Sequence, residues 1–311
     1  MLHQASGQWK LGLLLALITA LCWASLPLVL KMTLTVIDPI TLTWFRFLFA
    51  AVFMFFWLSA KKQLGIYKSV DKKRIWILLI SALLLIGNYV GYLLGVFYTT
   101  PTNAQLLIQF APLLMALGGV FIFKEHFTRG QWFGLFIIVV GMALFFSDQI
   151  AGVAINSTGY LIGSAIVLLA AISWASYALL QKQLLMRLPS QHILSFVYVV
   201  SAMLLWPFSN PSKLLELDGL HWGLLLFCAI NTLVAYAAFA EALAHWQASR
   251  VSAVLASTPL LCLLAVFIVH GIWPSAIAAE HVTALGIIGA LLVVLGSALS
   301  SLLGQKSTAL E

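Results

Sequence analysis

Charged side chains are scarce in this chain: Lys, Arg, Asp and Glu together make 8% of its 311 residues, and only 9 are acidic. A soluble domain carries about 25% charged residues and 45–50% apolar ones, whereas 63% of this chain is hydrophobic. So few charges cannot cover a water-facing surface of this size. The deficit excludes a soluble enzyme, a disordered chain and a nucleic-acid binder, although the formal net charge is +7. Cysteine is scarce too. Cys22, Cys228 and Cys262 fall in apolar runs without paired metal-ligand spacing, so neither a disulfide framework nor a metal site is expected. No P-loop, Gly-x-Ser-x-Gly elbow or His-x-x-x-His helix occurs, and nothing calls for a cofactor.

What the chain does have is long apolar runs. A membrane-spanning helix needs about 20 apolar residues, and spanning β-strands would instead alternate in polarity over about ten. The runs here are uninterrupted and rich in Leu, Ala, Ile and Val, which predicts an all-α membrane protein. Ten spans are read: Leu11–Leu30, Ile40–Ala60, Ile75–Tyr98, Asn103–Phe123, Gln131–Ser147, Gly159–Gln181, Gln191–Phe208, His221–Ala244, Ser249–Val269 and Ala284–Leu303. Asp38-Pro39, Pro101, Asn156-Ser157, Pro189, Asn210-Pro211 and Pro274 punctuate them. With the N-terminus cytoplasmic, thirteen Lys and Arg residues lie inside, including the Lys61–Arg74 cluster, against Lys31 and Lys213 outside. That asymmetry places both termini in the cytoplasm, and the basic loops belong near anionic lipid headgroups.

The chain also repeats itself. Trp23-Ala24-Ser25 in span 1 recurs as Trp174-Ala175-Ser176 in span 6, each followed by a lysine, Lys31 and Lys182. Pro112-Leu113-Leu114 in span 4 recurs as Pro259-Leu260-Leu261 in span 9, and Gly134 and Gly141 match Gly286 and Gly296 approximately. Residues 1–150 and 151–311 thus read as two five-helix units. Five is odd, so the second unit must insert upside down, the inverted-repeat plan of many secondary transporters.

Two five-helix units, the Trp-Ala-Ser motif opening each, Arg46 in span 2 and Lys124-Glu125 before a closing Gly-rich span resemble the EamA-type drug/metabolite transporter superfamily. The resemblance covers nearly the whole chain. It implies ten helices, cytoplasmic termini, a central pathway lined by spans 1, 3, 4, 6, 8 and 9, and a leaning towards export. The second unit departs from the pattern: Gly271–His281 has no glutamate placed like Glu125, and Glu280 falls late.

Polar residues are expensive inside a membrane, so those on span faces are the functional candidates. Thr102, Gln105, Gln109 and Pro112 share one face of span 4, opposite Ser249, Ser252, Ala256 and Pro259 in span 9; plain helix–helix hydrogen bonding is the alternative. Gly87, Gly91 and Gly95 form a close-packing seam expected to face span 4, with Asn88, Tyr92 and Thr99 beside it. Trp23, Trp174, Tyr177 and Gln181 suggest an aromatic-lined cavity for an apolar, heteroaromatic or cationic ligand, the alternative being packing.

Glu241, the one acidic residue inside a predicted span, shares a stripe with Asn231, Ala238 and His245. It would couple protons together with His245 or hold a cation; the alternatives are a carboxylate snorkelling to water at the inner end or one paired with Arg250. Arg46 is expected to snorkel or to cap neighbouring backbone, with a ligand role as the alternative. The expected protein is a monomeric bacterial-type inner-membrane secondary transporter working by alternating access. It would move a small neutral, zwitterionic or cationic organic metabolite such as an amino acid or amine. Only Arg46 offers positive charge inside a predicted span, which disfavours phosphorylated sugars and nucleotide sugars, since these want Lys/Arg clamps. A membrane-embedded enzyme and a non-transporting sensor or scaffold are the rival classes.

Overall fold

The computed structural model describes residues 8–63, 70–123, 128–152, 158–185, 187–245, 251, 254–255, 257–278 and 282–303. Among them there is helix and no strand. The helices are α1 (Trp9–Thr33), α2 (Pro39–Ala60), α3 (Lys72–Tyr98), α4 (Pro101–Leu107), α5 (Phe110–Phe123), α6 (Arg129–Gly152), α7 (Thr158–Leu185), α8 (Ser190–Leu205), α9 (Gly219–His245), α10 (Thr258–Ile272) and α11 (Ala284–Leu302). Six are long and apolar enough to cross a bilayer by length and composition: α1, α2, α3, α7, α9 and α8 with its 3₁₀ extension to Phe208. Arg129–Phe145, Thr258–Ile272 and Ala284–Ser300 are shorter apolar helices.

The distribution of polarity is inside out. Leu21, Phe56, Leu169 and Met203 are between 59% and 69% exposed, whereas Arg46, Asn88, Asn103 and Asn231 are 7% exposed or less. Only a solvent as apolar as lipid makes that arrangement favourable.

Local chemistry sets the helix boundaries. Asp38 accepts hydrogen bonds from the amides of Ile40 and Thr41 at the start of α2, with Pro39 in the first turn, as a cap and a pre-set φ require. Thr100 does the same for α4 ahead of Pro101. At the other end of α3 the carbonyls of Val96, Phe97 and Thr99 accept from Lys31 Nζ at 2.7, 2.8 and 2.6 Å. A cation there also complements the helix dipole.

Two boundaries differ from the sequence reading for one reason. Span 4, read as a single helix, is α4 and α5 separated by a turn at Ile108–Gln109. Pro112 has no N–H to continue the ladder, and the amides of Gln109 and Ala111 bond three residues back instead. Span 9, read as one helix from Ser249, is likewise interrupted: Val251, Val254 and Leu255 are helical, Ser257 is a turn, and α10 starts at Thr258, just ahead of Pro259. Residues 249–250, 252–253 and 256 lie outside the described residues. A third difference is that α6 runs on to Gly152, so Asp148, read as loop, is helical.

The packing has an exchange symmetry. α1 packs on α9 and α3 on α7; α10 packs on α1 and α5 on α7; α2 meets α8, and α6 meets α11. Replacing each first-half helix by its second-half counterpart maps these extensive pairings onto themselves. The α6–α11 crossing is the tightest. A Cβ on Gly134 would stand 2.6 Å from the Gly296 carbonyl oxygen, and one on Gly141 would stand 2.6 Å from that of Gly289. Both pairs are seven residues apart, so the counterpart of Gly134 is Gly289, not Gly286 as the sequence comparison had it. The Gly87, Gly91 and Gly95 seam also changes partner. It faces Ser173, Ala170 and Val167 of α7 rather than span 4.

Gly141→Ala and Gly296→Ala are therefore expected to cost about 1–3 kcal/mol by overpacking against backbone that cannot move aside. Gly219→Ala and Gly223→Ala, where nothing lies within 4 Å, should be near neutral. Melting temperatures of the four variants in detergent check the ordering.

Candidate functional site

Helices of both halves bring polar side chains into the bundle, where a polar group cut off from water needs a partner in protein. Arg46 is 3% exposed. It lies seven residues into α2, about 10 Å from the helix start. Its Nε and Nη2 donate to Thr232 Oγ1 of α9 at 3.1 and 3.0 Å. Thr232 in turn donates to the Cys228 carbonyl at 2.9 Å. The guanidinium stands over the Tyr89 ring, 4.7 Å from its centroid. Its charge also lies within electrostatic reach of Tyr92, Tyr198 and Tyr236. Arg46 therefore neither snorkels nor caps backbone. Burial takes most of its surface from water, and the Thr232 hydroxyl and the Tyr89 face lie against the guanidinium instead.

Around this charge the aromatic side chains gather. Trp23 meets Tyr236 edge-on at 5.8 Å between centroids and Phe239 at 5.6 Å. The Tyr236 hydroxyl also lies near the Trp174 indole and the Tyr89 hydroxyl. The sequence-paired Trp23 and Trp174 thus share one neighbour, Tyr236. Phe47 links Tyr89 and Tyr198 at 4.6 and 5.9 Å. Tyr177 is 2% exposed, and its hydroxyl has no hydrogen-bond partner.

The remaining candidates sort themselves by partner. Tyr92 donates its hydroxyl to Gln105 Oε1 at 2.7 Å. Gln109, in the turn between α4 and α5, donates to Thr258 Oγ1 at 3.3 Å, tying that break to the start of α10. Asn88 donates to the Ala170 carbonyl at 3.0 Å, and Asn231 to the Cys22 carbonyl at 2.8 Å. Both cross from the third span of one half to the first span of the other. Pro27 lacks the N–H that would bond the Trp23 carbonyl, so the α1 ladder is also open one residue on from Cys22. Asn231 Oδ1 has no partner.

Glu241 and His245 stand apart from this cluster. Their side chains are 3.6 Å apart and 65% and 22% exposed, respectively, so the helical stripe that joined Glu241 to the buried Asn231 and Ala238 turns outward at Glu241. Ser252, Arg250 and the Lys124-Glu125 pair lie outside the described residues. Sequence reading missed Tyr89, Tyr198, Tyr236 and Thr232. The register that pairs Pro112 with Pro259 also pairs Tyr89 with Tyr236, and that signal was available.

Comparison with known proteins accords with this architecture. The model of the EamA-like transporter family matches the chain twice, over residues 10–147 and 161–302. The chain belongs to the EamA-like transporter family. An inner membrane transporter of Escherichia coli (strain K12), YhbE, named as uncharacterized, is 36% identical over 299 residues, covering 95% of this chain and 92% of that protein. A transporter of Haemophilus influenzae, likewise named uncharacterized, is 37% identical over 299 residues, with 95% and 96% covered. The Salmonella typhimurium protein named as a probable amino-acid metabolite efflux pump is 23% identical over 300 residues, with 91% and 92% covered. A solved crystal structure shares the fold with a TM-score of 0.66 at 18% identity, over 97% of this chain and 98% of that one. The family is one of transporters, and the inside-out polarity makes this member a multi-pass membrane protein.

The hydrogen bonds predict an order of stabilities. Thr232→Val strips a buried cation of its acceptor and is expected to cost about 1–3 kcal/mol. Asn231→Leu removes an ordinary interhelical bond, worth about 1 kcal/mol or less. Denaturation in detergent should rank Thr232→Val as the more damaging change.

Proposed function

We propose that the chain is an inner-membrane secondary transporter that moves a small organic metabolite, by alternating access, through a pathway lined by Trp23, Trp174, Tyr236, Tyr92, Gln105 and Gln109. The observation that carries the reading is the convergence of Trp23 and Trp174 on one tyrosine. They are equivalent residues of two sequence repeats, and they meet where the helices of both halves cross. In this reading the ten spans form two inverted five-helix units, both termini are cytoplasmic, and the protein works as a monomer. The twofold family match and the exchange symmetry of the helix pairings support the repeat, and the Lys and Arg distribution supports the orientation. Broken helices at a repeat interface are the usual place for a transported ligand. Here both breaks precede a Pro-Leu-Leu and are joined by Gln109 and Thr258. Export of an amino acid or a related metabolite is the direction and class proposed, in keeping with the name of the Salmonella relative.

Sealed proteoliposomes loaded with amino acids and amines, with and without a pH gradient, test the reading. Trp23→Ala and Trp174→Ala are each expected to lower flux roughly three- to tenfold, the worth of an aromatic contact. Gln109→Leu should lower it too, while all three proteins still insert and stay monodisperse. Unchanged kinetics in all three would place the pathway elsewhere.

Proton coupling through Glu241 and His245 is the finer part of the proposal, supported by a paired carboxylate and imidazole on the last turns of α9. Glu241→Gln is expected to abolish flux driven by a pH gradient and to leave substrate exchange intact. Full pH-driven flux in that variant would make the protein a passive carrier.

A further inference from the structure

Arg46 poses an electrostatic problem that the described residues do not solve. A guanidinium has five N–H donors and does not lose its proton in a protein. Thr232 Oγ1 accepts from Nε and from Nη2, and the Tyr89 face lies against the cation, which leaves three N–H groups to be satisfied. Among the described residues no carboxylate pairs with Arg46; the ion pairs join Arg74 to Asp71, Lys213 to Glu216, His221 to Asp218 and His245 to Glu241. Glu241, the acidic residue nearest in the same helix as Thr232, is nine positions away, about 13 Å along the axis, and it points outward. A buried charge without a counter-charge is costly, and more so at membrane depth. A second group lies among the tyrosines that surround it: the Tyr177 hydroxyl, buried and without a hydrogen-bond partner, is within electrostatic reach of Tyr236 and Tyr89.

We infer, resting on the transporter reading above, that Arg46 and the tyrosines around it form the anion-binding position of the pathway and take the carboxylate of the transported compound. The ligand class is then an organic monocarboxylate, zwitterionic amino acids included, and not a simple amine. One guanidinium carries one charge and presents a planar pair of donors, which matches a carboxylate; a phosphate dianion would call for a second cation, and the described residues place none there. Arg46 holds the ligand, and Thr232 positions Arg46 by fixing the plane of its fork.

A binding assay that does not need flux tests this. The purified full-length protein in detergent is titrated with each common amino acid, followed by thermal unfolding, and every amino acid that binds is compared with its carboxamide and with its decarboxylated amine. At least one amino acid is expected to stabilise the protein saturably. Its carboxamide and amine should bind about tenfold or more weakly, the worth of a charge-assisted hydrogen bond. Arg46→Gln should bring the three compounds to equal affinity, and Arg46→Lys should keep part of the difference. If Arg46→Gln fails to fold, Thr232→Val takes its place and should narrow the gap. Equal binding of acid, amide and amine by the wild type overturns the assignment. So does discrimination that survives in Arg46→Gln, or a wild type that binds no carboxylate. Flux separates the two readings. Discrimination in detergent without transport in vesicles keeps the site and removes the transporter, and transport indifferent to the carboxylate does the reverse.

Discussion

A bilayer offers no water to a polar group, so each one inside this bundle must be answered by another part of the chain. Arg46 makes that constraint most severe, because its charge cannot be titrated away. α2 carries it inward, α9 supplies Thr232 to hold it and α3 supplies the Tyr89 ring beneath it. Those three helices cannot slide independently without exposing the cation to lipid. The aromatic shell of Tyr198, Phe47 and Tyr236 follows from the same demand, since a low-dielectric wall around a cation strengthens whatever dipoles face it.

The second constraint is close approach. α6 and α11 cross with backbone against backbone at Gly134–Gly296 and Gly141–Gly289, and α3 lies on α7 along Gly87, Gly91 and Gly95. Contacts of this kind gain dispersion energy that lipid cannot offer as well. They tie one half of the chain to the other away from the polar middle. α4, α5 and α10 are built differently: each begins at or beside a proline-directed break, and they meet through Gln109 and Thr258. The bundle therefore combines glycine-locked crossings at its flank with interrupted helices at its centre, and the interrupted helices are the ones with backbone groups to spare for a ligand.

Much of this could be read in the sequence, and the failures have physical causes. The apolar runs located the long helices because hydropathy is a property of single residues. Trp23 and Trp174 were paired by motif, and they do share a neighbour. The break at Ile108–Gln109 was missed because an apolar run looks continuous whether or not Pro112 interrupts its hydrogen bonds. The glycine seam was assigned to span 4 because spacing tells which residues line up on a face and not which helix that face meets. Arg46 was misread as snorkelling because its depth was judged along its own helix. Only the packing of α3 and α9 against it shows that its side chain is buried among Thr232 and Tyr89. Tyr198 carried no local signal at all, since its role comes from the residues across from it.

The repeat also shows where symmetry stops. The helix pairings are matched between halves, as are the tryptophans, the prolines and the glycines seven residues apart, yet α8, the counterpart of α2, carries no lysine or arginine. Arg46 therefore breaks the equivalence of the two halves at the level of charge while the scaffold keeps it at the level of shape. Two similar halves can exchange conformations at little difference in free energy, which alternating access requires. On the reading proposed above, a cation carried by one half would give the site between them a polarity, and a ligand with a carboxylate at one end would lie in one orientation whichever half is open. Shape would then serve the motion, and the charge on one half the recognition.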